Sequence, residues 1–146
     1  MVEFVGFAKS PQIPEGAKLL TNKAAFQISR SYKDAAAELL TKNAACTWLA
    51  PMQTWRLDLG TKITFDSGDL DGVIATVTEA NLPKSFALIA NDFGQLRILA
   101  TKSELGTWLE IEFARWSLPQ DETKFLKISE AVIQRAQKLL EVVRVG

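Results

Sequence analysis

Apolar and polar residues alternate most regularly over Thr107–Ala114, where Leu109, Ile111 and Phe113 share one parity and Glu110 and Glu112 the other. A period of two marks a half-buried strand, and a slip of one residue would bury both carboxylates, so the register is firmly fixed. The same period predicts a strand over Lys23–Ser29, with Ala24, Phe26 and Ile28 on one face and Lys23, Gln27 and Ser29 on the other. Between residues 54 and 116, turn residues at Gly60, Ser67–Gly68, Asp71–Gly72, Asn81–Pro83, Asn91–Gly94 and Glu104–Gly106 cut the chain into short segments. This punctuation predicts an antiparallel meander, including strands Val73–Thr78 and Ser85–Ala90 with Glu79–Pro83 as the loop between them.

Helical signals flank the meander. Ser31 is placed to cap a helix over Tyr32–Leu40, in which Ala35, Ala36 and Ala37 have high helix propensity. A second short helix is expected over Ala44–Ala50, ending at Pro51 because proline disfavours helical geometry in the residue before it. The strongest start signal lies at Ser117 and Gln120, which have capping-box spacing, with Pro119 in the first turn and Asp121 and Glu122 at the positive helix end. Apolar Phe125, Ile128, Val132, Ala136, Leu139 and Val143 follow at intervals of three or four. A helix over Leu118–Val143 would be roughly 39 Å long at ~1.5 Å per residue, enough to cross a whole sheet. Before the first strand, residues 1–20 hold a short apolar segment, Phe4–Ala8, and then Pro11, Pro14 and Gly16, the pattern of an arm or an edge strand.

Composition removes whole classes of function. At 146 residues one domain is expected over 1–146, and 47% apolar with 23% charged residues is an ordinary globular balance. Seventeen basic and seventeen acidic residues leave no net charge, which argues against a nucleic-acid partner. No apolar run approaches the ~18 residues of a membrane span, and the start lacks the basic segment of a signal peptide. Cys46 is the single cysteine, so no intrachain disulfide forms and the cytoplasm is the expected compartment. The absence of histidine excludes imidazole-based triads, dyads and zinc sites within one chain. No cofactor and no metal site is expected: Asp66, Asp69 and Asp71 lack the glutamate twelve positions on that a calcium loop needs, and read as a hairpin turn.

The order of elements, with Thr47-Trp48-Leu49-Ala50-Pro51, Leu57-Asp58-Leu59-Gly60 leading into Lys62–Phe65, Gly72-Val73 and Gly106-Thr107 before Trp108–Phe113, resembles the helix-grip, START-like (SRPBCC) superfamily over about residues 23–143. Within it the chain looks most like the polyketide cyclases and the activators of heat-shock-protein ATPase. It differs from them in a longer N-terminal arm and in having no histidine after the Gly106-Thr107 strand. The resemblance implies an α+β helix-grip fold, a curved antiparallel sheet wrapped around a long C-terminal helix with two short helices after the first strand. It also implies a deep apolar cavity between sheet and helix.

Six residues are candidates to line that cavity: Trp48, Arg97, Phe113, Phe125, Ile128 and Val132. Phe125, Ile128 and Val132 belong to the apolar stripe of the terminal helix, which either lines a pocket or packs as plain core. Trp48 sits in the motif near the expected mouth. Arg97 interrupts the apolar run Leu96–Ala100, and either orients a polar ligand end or faces solvent. Trp108 shares the parity of Glu110 and Glu112, so it points outward as a partner or dimer surface. Cys46 reads as a small buried residue, since activation needs a nearby cation or base. Glu110 and Glu112, about 7 Å apart on one strand face, read as exposed sheet positions rather than paired catalytic carboxylates.

No catalytic residue is assigned. The leading expectation is a non-enzymatic domain binding a small apolar or amphipathic molecule, which an interior filled by side chains would oppose. The alternatives are a protein-interaction role, chaperone-linked or as a homodimer, and a cyclase or hydratase in which Tyr32, Asp58 or Arg97 assists.

Overall fold

A computed structural model of the chain describes residues 15–142 and 144–145, without the side chains of Tyr32, Ala36, Arg144 and Val145. The apolar segment Phe4–Ala8, Pro11, Pro14 and Val143 lie outside the described residues. The elements run β1 (Lys18–Ile28), α1 (Tyr32–Leu40), α2 (Lys42–Trp48), β2 (Lys62–Thr64), β3 (Ile74–Asn81), β4 (Ser85–Ala90), β5 (Gly94–Ser103), β6 (Gly106–Ser117), α3 (Glu122–Leu140) and β7 (Arg144–Val145). The strands form one antiparallel sheet in the order β2-β3-β4-β5-β6-β1-β7. This is the α+β helix-grip fold expected from the sequence.

Strand alternation decides which side chains enter the core. Ala24, Phe26 and Ile28 on β1 and Leu109, Ile111 and Phe113 on β6 are buried, as the period of two requires. Leu96, Ile98 and Ala100 on β5 and Phe86, Leu88 and Ala90 on β4 complete the inner face. Against it packs α3 through Phe125, Ile128, Val132, Ile133, Ala136 and Leu140, and these residues belong to one buried cluster with the sheet. Asn22 on β1 donates to Ser129 Oγ at 3.0 Å and to Glu130 Oε1 at 3.2 Å, tying the strand to the helix, while the buried Ser129 hydroxyl itself donates to the Leu126 carbonyl at 3.3 Å.

Several boundaries differ from the sequence reading, each for a local reason. The first strand begins at Lys18, five residues earlier than expected, because it pairs with β6 along its whole length. The second short helix starts at Lys42, where Thr41 accepts from the Ala44 N–H at 3.3 Å. Ser31 caps α1 as expected, accepting from the Asp34 N–H at 3.3 Å. Ser117 does not cap the terminal helix: its hydroxyl accepts from Arg115 Nη1 and bonds to the Leu118 carbonyl. Leu118 is extended, Pro119–Asp121 makes a 3₁₀ turn, and α3 begins only at Glu122. The helix stops at Leu140 because Glu141 turns left-handed, with φ 55° and ψ 47°, and its N–H closes on Gln137 O and Lys138 O. Finally, Glu79–Asn81 is strand and not loop. A register shift between Val77 and Glu79 lets β3 continue past the break in alternation.

Candidate functional site

Five of the six residues expected to line a cavity meet in the interior, and there they fill it. Trp48, Phe113, Phe125 and Val132 are fully buried and Ile128 nearly so, all within the one core cluster. The implied deep cavity between α3 and the sheet is therefore replaced by packed side chains in this conformation. Trp48 is not at a mouth: it is 0% exposed, and its indole N–H donates to the Leu39 carbonyl at 2.8 Å.

Arg97 does not reach the interior at all. Its neighbours Leu96 and Ile98 point inward, so alternation sends Arg97 to the outer face. There its Nε donates to Glu79 Oε1 at 3.1 Å and its Nη2 to Glu79 Oε2 at 3.3 Å. Glu79 and Arg97 lie on either side of Ala87 in the sheet register, and the small alanine lets the two long side chains close over it. The Ser85 hydroxyl also donates to Glu79 Oε2. The Arg97 hydrogen bonds, and then that of Ser85, hold the Glu79 carboxyl below its usual range.

The other outward residues find ordinary sheet partners. Trp108 is half-buried, with its N–H on Glu110 Oε2 at 3.1 Å, and Glu110 lies 3.7 Å from Lys23 Nζ. The exposed tryptophan is instead Trp116, directly opposite exposed Leu19 on β1. Asp69 sits in a 3₁₀ turn, Gly68–Leu70, and pairs with Arg135 at 2.7 Å. Asp58 pairs with Arg56 in an exposed loop, so neither Asp58 nor Arg97 faces the core. Cys46 is half-buried with its sulfur 3.3 Å from Met52 Sδ. Among the described residues no cluster of three acidic, cysteine or histidine side chains has metal-site geometry. No described helix is long and apolar enough to cross a membrane.

A small, largely apolar recess lies between the end of α1 and the β3–β4 turn, apart from wider clefts on the surface. It measures about 10 Å³ and is lined by Leu39, Leu40, Phe86, Ile98, Ala100 and Leu109, with Pro83, Lys84 and Ser85 at its rim. That volume holds about one water molecule. Its outer wall is the last turn of α1, where helix geometry leaves carbonyls without intrahelical partners. Two indoles satisfy them: Trp48 bonds Leu39 O, and Trp55 bonds Leu40 O at 2.8 Å while its ring rests on Phe86, 5.7 Å between centroids. Arg135 from α3 then fixes the end of α2, donating Nε to Trp48 O at 3.1 Å and Nη2 to Leu49 O at 2.8 Å.

Sequence reasoning missed this assembly. Tryptophan at 48 and 55 was conspicuous, but an indole that caps a helix end looks the same in sequence as one that lines a pocket. Arg135 carried a signal in being a cation between buried Val132 and Ala136 on the terminal helix.

No family model and no curated protein matches the sequence. Solved structures do match in fold. The chain is similar to protein MLL2253 from Mesorhizobium loti, with a TM-score of 0.68 and 18% identity over 84% of this chain and 97% of that one. It is also similar to the Aha1 dimer from Colwellia psychrerythraea (TM-score 0.62, 13% identity, 84% and 96% covered). CalU16 from Micromonospora echinospora matches with a TM-score of 0.56 and 11% identity, 89% of each chain being covered. At these identities the likeness shows the fold, and that fold is the helix-grip arrangement expected from the sequence.

Proposed function

We propose that the chain is a binding domain that takes an apolar group into the recess between α1 and the β3–β4 turn, opening by displacement of the last turn of α1. The observation that supports this most is the recess itself: apart from Lys84 and Ser85 its lining is apolar, and it leads to Phe86, Ile98, Ala100 and Leu109 on the inner sheet face. The closed volume is far below the roughly 300 Å³ of an occupied ligand pocket, so binding requires movement. α1 is the element suited to move. It has nine residues, too few to be stable alone, and the described side chains it fully buries are Ala35 and Leu39.

Titration with decan-1-ol, followed by tryptophan fluorescence, tests the reading. Saturable quenching is expected in the wild type and its loss in Ala100→Leu, which fills the recess; folding of the variant is checked by circular dichroism. Quenching that is absent in the wild type, or equal in a folded Ala100→Leu, contradicts it. The free thiol of Cys46 suits a reducing compartment, so the reading places the protein in the cytoplasm, and recovery from an oxidising compartment on cell fractionation would oppose that.

A second reading, self-association through the outer sheet face, is favoured by Leu19 and Trp116, which are 50% and 47% exposed and directly opposite each other. The Colwellia neighbour is described as a dimer. Sedimentation should then give a dimer for the wild type and a monomer for Trp116→Ser; a monomeric wild type rejects it.

A further inference from the structure

We infer that the occupant of the recess is an amphiphile with a negatively charged head, such as an aliphatic carboxylate, and that Lys84 is the residue that reads the head. The inference rests on the proposed use of the recess.

Lys84 is the single charged residue in the lining, and it stands at the rim, not the floor. Its backbone is fixed on both sides: the N–H donates to Asn81 O at 2.9 Å, and the carbonyl accepts from the Ala100 N–H at 2.7 Å. The side chain is thus carried by an anchored turn, while its amine stays exposed. Among the described residues no carboxylate pairs with that amine.

Glu79, two residues before the end of β3 in the same hairpin, is already occupied by Arg97 and Ser85 on the outer face. Ser85 spends its hydroxyl proton on Glu79, so it is not free to donate to a ligand head. The rim therefore offers one uncompensated positive charge above an apolar floor. An aliphatic tail would satisfy the floor and an anionic head the ammonium, with the head left in water, where an exposed lysine keeps it. A cationic head would meet like charge, and a neutral head would gain only the floor.

The test compares decanoate, decan-1-ol and decyltrimethylammonium at pH 8 and low salt, each below its micellar concentration, by tryptophan fluorescence or calorimetry. For the wild type, decanoate is expected to bind about five-fold more tightly than the alcohol, the size of an exposed ion pair, and the ammonium more weakly than either. The preference should shrink toward unity as salt is raised. Lys84→Glu should leave the alcohol within about two-fold and reverse the order of the two charged ligands. Equal affinities across the three heads in the wild type, or an unchanged order in Lys84→Glu, overturn the inference while leaving the recess reading intact. Failure of all three to bind overturns the recess reading, and this inference with it.

Discussion

Replacing Trp48 by phenylalanine separates the two roles that a buried tryptophan can have here. The ring is fully buried, and its N–H reaches a carbonyl at the end of α1 that the helix cannot satisfy. Phenylalanine keeps an aromatic ring but removes the donor, leaving a buried acceptor unpaired at a cost of about 1–3 kcal/mol. The smaller ring forfeits roughly 1 kcal/mol more in packing. The sum is about 2–4 kcal/mol, a large part of the stability of an ordinary domain. Trp55→Phe is the internal control. It removes a bond of the same length to the next carbonyl, Leu40 O, but from a half-buried ring where water can replace the donor. Its cost should be nearer 0.5–1.5 kcal/mol. Urea unfolding of both variants, with m-values compared to confirm a common two-state transition, gives the two numbers. If Trp48→Phe costs no more than Trp55→Phe, the buried carbonyl is not held by Trp48 and the account of how α1 is fastened is wrong.

Arg135→Met keeps most of the stem but removes three donors, two of them on the carbonyls of Trp48 and Leu49. A loss of about 2–3 kcal/mol in urea unfolding is expected, with faster amide exchange in α1 and α2 than in β6; uniform exchange would refute the local role. The depressed Glu79 carboxyl contributes stability that is present above its unfolded pKa and lost as pH falls through the lower folded value. The urea midpoints of wild type and Glu79→Gln should therefore differ at pH 7 and converge below pH 4, and a gap that is constant with pH would count against the Arg97 pairing. Gly94→Ala should destabilise by about 3 kcal/mol or more, since φ is +76° and a Cβ would lie 2.2 Å from Ala114 O; a near-neutral thermal shift would show that the β4–β5 turn is not as described.

The fold was legible where one physical rule acted alone. Alternation in Thr107–Ala114 and Lys23–Ser29 predicted the buried parity, and Ser31 predicted the start of α1. It was illegible where tertiary partners compete for the same groups. Ser117 and Gln120 had capping-box spacing, yet Arg115 took the serine and moved the helix start to Glu122. Glu79 stands just before the turn residues Asn81–Pro83 and was expected in their loop, but it is strand because a bulge lets β3 run on. Arg97 is the instructive case: its place within an apolar run left both a ligand contact and solvent open, and the alternation of β5 sends it to the outer face. The recess was hidden because its residues come from α1, β4, β5 and β6, far apart in sequence, and because Pro83 read only as a turn residue.

The central claim is that apolar groups enter between α1 and the β3–β4 turn, and methyl-resolved NMR during a decanoate titration tests it most directly. The account predicts saturable shifts at Leu39, Leu40, Ile98, Ala100 and Leu109, with the outer-face methyls of Leu19 and Ile89 unmoved. Shifts confined to Leu19 and Ile89, or no saturable shift at any methyl, would contradict it.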